Sequence, residues 1–417
     1  MSQAGLVEHV FRHEYGSLVA SLLSRVGVHH VDAVEDAVQY ALMQGLNFWP
    51  KNKAPTNPSA WLYKVALRKL LSEFRTNQRR HEILNQQPDL VNPASVELAP
   101  VPLSGEMSDA MLRMLFVACQ QDIPLESQLV FTLKSLCGFS VKEIALRLFI
   151  SEENVYKRFS RARKNLKSDP DVLDALTESD MIIRLPAVHA VVYLLFTEGY
   201  LSSHSDTAIR QDLCEEAIRL ALMLLQSTIG KVPETYALLA LMYFHLARLN
   251  GRQDETGALL LLEQQDRSRW NQTHMRQALQ YLQQSAQGEH LSRYHVEANI
   301  AAQHGLAPSF SETPWENITE SYELLERIAP SPLHRLNRAV AVAQWQGPKA
   351  GLQVLQDMEL PKWLNRSYYW HAVQADLQYQ SGEGELAKRS AQQAMQAAPT
   401  DTIKQLLQRR FKKWSLD

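Results

Sequence analysis

Cysteine is scarce in this chain, and its placement excludes two classes at once. Among 417 residues there are three, Cys119, Cys137 and Cys214, widely spaced and without a C-x-x-C pair. That rules against a disulfide framework and a thiolate zinc site, and it suits a reducing compartment. Strand-like alternation is missing throughout; nearly every segment repeats its apolar residues at helical spacing. The common catalytic signatures are missing too. No G-x-S-x-G, Walker loop, G-x-G-x-x-G or H-E-x-x-H occurs, so an enzyme reading has no nucleophile–base constellation to rest on. His290, His295 and Glu297 are ligating types without a known spacing, and neither a metal nor a cofactor is expected. No apolar run approaches the roughly 18 residues of a membrane span. The N-terminus, MSQAGLVEHVFRHEYG, lacks the basic start and apolar core of a signal peptide. The expectation is a cytoplasmic chain with no membrane partner.

Charge of one sign is not in excess either: the net charge is −2, with 45% hydrophobic and 21% charged residues. A bulk balance of this kind does not suggest nucleic acid, but the cations are unevenly placed, and a local patch matters more than the total. The length favours two or three domains. Composition divides the chain into a helical block over 1–80, a polar, proline-bearing linker over 81–108, a compact helical block over 109–168 and an Ala- and Leu-rich helical block over 169–417. The fold class expected is all-α.

What is present is concentrated in Ser140–Lys167, SVKEIALRLFISEENVYKRFSRARKNLK. Ser140 and Glu143 form an S-x-x-E capping box that starts one helix, with Ile144, Ala145 and Leu148 as its buried stripe. After a short turn, Ser151 is a second N-cap. The following helix places Val155, Phe159, Ala162 and Leu166 on one face and leaves Lys157, Arg158, Arg161, Arg163, Lys164 and Lys167 on the rest. Such a helix-turn-helix can set its second helix in a major groove, with its N-terminal residues at base edges and its cations along phosphates. A solvated basic helix is the plainer alternative.

A second basic segment lies upstream. Val31–Leu46 reads as an amphipathic helix with acids on its polar side, and Phe48–Pro58 (FWPKNKAPTNP) as a loop. Asn57-Pro58 then supplies a cap followed by proline at the first helical position. The helix that follows, to Arg80, carries Lys64, Arg68, Lys69, Arg75, Arg79 and Arg80 against Glu73, interleaved with Trp61, Tyr63 and Phe74. Cations neutralise phosphates, and aromatics offer platforms for unstacked bases. Trp61 is open to either role, core or platform.

DAVEDAVQYAL, NPSAWLYKVALRKLLSEFRTNQRR and the block DAMLRMLFVACQQDIPLESQLVFTLKSLCGFSVKEIALRLFISEENVYKRFSRARKNLK together resemble the sigma-70 family of bacterial transcription initiation factors, specifically the extracytoplasmic-function type. LPAVHAVVYLLFTEGYLSS, LLALMYFHLAR, LLLLEQQDRSRW and LERIAPSPLHRLNRAVAVAQWQGPKAGL resemble the C-terminal extension of one group of that type, which is TPR-like. The resemblance covers nearly the whole chain. It implies that 1–80 is sigma region two, that 109–168 is sigma region four and that 169–417 is the extension. It also implies two partners, core RNA polymerase and promoter DNA. Asp32, Glu35, Asp36 and Gln39 would dock on the polymerase. Asn57, Trp61, Lys64, Arg68, Arg75, Asn77, Arg79 and Arg80 would read the minus-ten element. Ser151, Glu152, Asn154, Lys157, Arg158, Arg161, Arg163 and Lys164 would read the minus-thirty-five element. Two departures stand out: Phe149 occupies the turn where many such proteins have glycine, and TNQRR is less densely basic than usual.

In the C-terminal block, Ala375, Gly382, Ala387, Ala394 and Pro399 fall where a tetratricopeptide unit puts its small residues, turn glycine and closing proline. Leu336–Leu355, around Gly347, is a degenerate neighbour; generic helix hairpins are the alternative. Two polar clusters, Glu198 with Tyr200 and Glu263 with Asp266, Arg267, Arg269 and Trp270, read either as a regulatory site for an unknown ligand or protein partner, or as an internal network tying helices together. Two other functions compete with the sigma reading. A one-component regulator with a helix-turn-helix and a TPR-type sensor leaves the first block unexplained, and a TPR scaffold treats both basic helices as solvated surface.

Overall fold

The computed structural model describes residues 3–52, 55–83, 102–148, 150–168, 172–200, 211–255, 258–412 and 414. Helices dominate them, and the β-contact among the described residues is one isolated antiparallel bridge, Gln253 with Leu259. The all-α expectation holds. The chain divides into two compact units, Met1–Leu194 and Leu195–Asp417.

The first unit begins with α1 (Gln3–Val26), α2 (Val31–Asn52) and α3 (Pro58–Ile83). Gly27 leaves α1 at φ 92° and turns the chain into a single 3-10 turn before α2. Asn57 caps α3 as expected, its Oδ1 accepting the Ala60 N–H at 3.0 Å. The expected loop over Phe48–Pro58 is shorter, because α2 continues through Pro50 to Asn52. Trp49, 7% exposed, anchors that last turn edge-on to Trp61 at 5.6 Å. Tertiary burial of one indole outweighs the proline signal. Of the expected linker, 84–101 lies outside the described residues.

α4 (Ser104–Ala118) then packs on α1, and α5 (Leu125–Phe131) runs into a π-turn, Thr132–Leu136. α6 (Val141–Leu148) and α7 (Glu152–Lys167) form the helix-turn-helix. The capping box is made both ways: the Ser140 N–H donates to Glu143 Oε2 at 2.8 Å, and the Glu143 N–H to Ser140 Oγ at 3.2 Å. The Asn154 N–H donates to Ser151 Oγ at 3.2 Å and opens α7. Val155, Phe159, Ala162 and Leu166 are all buried, the four positions the spacing selects. In α6, Ile144 and Ala145 are buried and Leu148 is half-buried. Phe149 lies outside the described residues.

α8 (Glu178–Tyr200) corrects one expectation. By length and composition it is long and apolar enough to cross a membrane, a feature masked in the sequence by Arg184 and His189. About 44% of its apolar window is buried, with Val188, Val191, Val192, Leu195 and Phe196 all fully enclosed. A core helix passes the same test of length and hydropathy.

In the second unit, helices pair with their neighbours in sequence. α9 (Gln211–Leu224) contacts α10 (Pro233–Ala247), which packs on α11 (Gln272–Ser285) and α12 (Arg293–Leu306). α13 (Trp315–Ile328) packs on α14 (Pro332–Gln346), α14 on α15 (Pro348–Gln356), and, beyond the short α16 (Lys362–Asn365), α17 (Tyr368–Gln380) on α18 (Gly384–Ala397). α19 (Asp401–Lys412) closes the unit. The expected small residues Ala375, Ala387 and Ala394 are fully buried, and Gly382 takes φ 86° at the α17–α18 turn. Gly347, at φ 97°, separates α14 from α15.

Candidate nucleic-acid interface

On α3, Lys64, Arg68, Arg75 and Asn77 are exposed. Lys64, Arg68 and Arg75 recur at spacings of four and seven and so lie along one face. The side chains of Arg79 and Arg80 lie outside the described ones. Lys69 is tied to Glu73 at 2.8 Å and sits 5.5 Å from the Tyr40 ring. Trp61 is half-buried, stacked 6.1 Å from the half-exposed Phe48 and edge-on to Trp49. Tyr63 and Phe74, the other aromatics interleaved with the cations, are core residues at 0% and 7% exposure. They occupy the inward face of the same helix, so they cannot serve as base platforms.

On α7, Ser151, Glu152, Asn154, Lys157, Arg161 and Lys164 are exposed and Arg158 is half-buried. Lys157 pairs with Glu153 at 2.7 Å, both largely exposed, which costs little to break. Arg163 points elsewhere: its guanidinium pairs with Asp32 at 2.5 Å and lies 5.6 Å from the Phe159 ring.

The acids of α2 split in the same way. Glu35 is 4% exposed, in contact with Lys134 Nζ and accepting the Ser135 hydroxyl at 2.6 Å. Asp32 holds Arg163 and Lys167. Asp36 and Gln39 face outward. Beside them are Tyr40 and Met43, 41% and 59% exposed. Sequence reasoning passed over both, although their spacing from Asp36 and Gln39 puts four residues on one helix face. A strip of acid, amide and exposed apolar side chains suits a protein surface rather than solvent.

The two C-terminal clusters resolve into separate jobs. Tyr200 lies under the Arg252 guanidinium, 4.0 Å from the ring centroid, and its carbonyl accepts from Arg252 Nη1. Its ring also meets His245 at 4.5 Å. Glu198 is half-buried on the same helix. Trp270 is 3% exposed, with Arg248 and Arg267 at 5.4 and 4.8 Å from its ring. Arg267 Nη1 also donates to the carbonyls of His304 and Ala307, the latter at 2.6 Å. Asp266 caps Ser268, and Arg269 donates to the Gln253 carbonyl at 3.2 Å. Burial with the Arg248, Arg252 and Arg267 charges holds His245 and His304 neutral, each lowered to about 3. Most of this cluster braces helix ends; Glu263 instead lines a cavity. His295 and Glu297 are likewise in use, with His295 bonded to the Ser292 N–H and Glu297 to Arg293.

Two separate cationic helices, one of them the second helix of a helix-turn-helix, define a DNA-binding transcription factor. Residues 11–80 match the family model for sigma-70 region 2, and residues 115–166 match that for sigma-70 region 4. Residues 184–286 match a family of unknown function, DUF6596. The chain belongs to the sigma-70 family and has the make-up of an extracytoplasmic-function-like sigma factor with a C-terminal extension. An uncharacterized protein of Rhizobium meliloti is 32% identical over 371 residues, covering 88% of this chain and 87% of that protein. No solved structure matches the chain.

Proposed function

We propose that this protein binds core RNA polymerase in the cytoplasm and directs promoter-specific transcription initiation, with polymerization chemistry left to the polymerase. Region two spans 1–80, region four 109–168, and 169–417 is a TPR-like regulatory extension. The observation that carries this reading is the pairing, in one chain, of two exposed cationic faces with the acidic–apolar strip of α2. A lone operator-binding regulator needs the cationic face of α7 and has no use for that of α3 or for the α2 strip. Asp36, Gln39, Tyr40 and Met43 contact the polymerase. Lys64, Arg68, Arg75 and Asn77 meet the minus-ten element, beside the aromatic cluster at Trp61. Arg158, Arg161 and Lys164 contact the minus-thirty-five element, with Asn154 nearest the base edges. Joining both DNA contacts to one polymerase raises the effective concentration of each at its site.

Run-off transcription with bacterial core polymerase and a matched promoter tests the reading. A promoter-specific transcript that depends on the protein supports it. A folded sample that binds promoter DNA alone, with no effect on polymerase, would instead indicate the one-component regulator.

A further inference from the structure

The second unit contains a cavity of about 520 Å³ walled by α13, α14, α17, α19 and the turn at 261–264, within the size range of small-molecule sites. Six of its lining residues are aromatic, among them Trp315, Tyr322, Tyr369 and the stacked pair Tyr379 and Trp414, whose rings are 4.6 Å apart. Its charged lining residues are Glu263, Asp376 and Arg410. Arg410 is in direct contact with Asp376 and also feels the exposed Glu263 carboxylate, so the three groups together leave one net negative charge, at Glu263. His304, also in the wall, is held neutral by burial and by Arg248 and Arg267, which lower it to about 3. Arg248 and Arg267 lie behind it, engaged with Trp270. Asn337 accepts the Tyr369 hydroxyl at 2.7 Å, and the Gln344 and Gln380 amides complete a polar edge.

The geometry points to a ligand site for a drug-sized aromatic molecule bearing one positive charge. Ring faces attract a cation and stack on a flat body, and the cost of removing that charge from water is offset by Glu263. An anion of the same shape meets the same rings but a carboxylate of its own sign. This inference stands apart from the promoter reading.

Fluorescence polarisation of two flat xanthene dyes with the full chain tests it, one cationic (rhodamine 6G) and one anionic (fluorescein). Rhodamine 6G should bind saturably, and fluorescein at least about tenfold more weakly, a difference of roughly 1.4 kcal/mol. Glu263→Gln should narrow that gap. Gln344 is exposed at the cavity edge, so Gln344→Trp should fill the cavity and abolish binding while leaving the helical circular dichroism intact. Equal affinity for both dyes, no saturable binding, or binding that survives Gln344→Trp would overturn the site.

Discussion

Exposed arginines of the first unit and braced arginines of the second do opposite work, although Arg113 of the first unit also braces the Leu173 carbonyl. In the first, Arg68 and Arg161 are exposed on their helices. In the second, three arginines turn back on the protein and close helix C-termini. Arg252, 9% exposed, donates to the Tyr200 carbonyl at the end of α8. Arg267 donates to His304 and Ala307 at the end of α12, and Arg335 to Val354 in the last turn of α15 at 2.8 Å. The last carbonyls of a helix lack partners and carry the negative end of its dipole, so a forked cation satisfies both needs. An exposed guanidinium is available to a phosphate; one bonded to two carbonyls is a structural brace. Side-chain count alone does not distinguish them.

Substitution of each kind separates the two roles. The largest stability effect is expected from Arg267→Ala, which orphans two carbonyls and uncovers one face of Trp270. Urea unfolding should show a loss of about 2–3 kcal/mol. A loss below the uncertainty of the fit would mean that Arg267 is not a brace. For Arg161→Ala the effect should move from folding to binding. Promoter affinity should fall about tenfold, while stability stays within about 0.5 kcal/mol. If DNA binding were unchanged, the exposed face of α7 would not be the reader.

Acid should weaken the second unit through its braced histidines. His245 and His304 are held at about 3 in the folded protein, whereas the unfolded chain takes up protons below about 6.5. Their neutral forms contribute fully at neutral pH, and that contribution is lost as pH falls from about 6.5 toward 3. Between pH 7 and 5.5 the urea midpoint should drop by the equivalent of about 2.5 kcal/mol for the two groups. His245→Gln with His304→Gln should flatten that slope; a slope identical to that of the parent would assign it to other groups. The smallest effect is a cap. Ser140→Ala removes one of the two bonds that start α6 and should cost about 1 kcal/mol or less, read as a small fall in melting temperature.

Local patterns proved legible wherever the deciding interaction lay within a few residues. The Ser140–Glu143 box, the Ser151 and Asn57 caps and the buried face of α7 all depend on neighbours along one helix. Tyr63 and Phe74 were misjudged because their composition, aromatics among cations, suits a base platform, while their phase on the helix puts them inside. The end of α2 was misplaced because Pro50 is a breaker by sequence, yet Trp49 gains enough by burial to hold another turn. α8 shows the reverse problem, a helix apolar enough for a membrane whose Val188, Val191, Val192, Leu195 and Phe196 are enclosed by protein while Ile182 and Ile183 are exposed.

Periodicity, caps and turn glycines therefore determined the helices, the all-α class and the family, because each follows from the 3.6-residue repeat and from hydrogen bonds between near neighbours. Tertiary structure alone decided what the charged residues are for. Asp36 and Glu35 are adjacent acids on one helix, and only one of them faces outward; the other meets Lys134, ninety-nine residues away. Glu263 and Arg267 are four residues apart, one lining a cavity and the other closing a helix. A charge acts over a few ångströms, and which partner comes within that range depends on packing between segments distant in sequence.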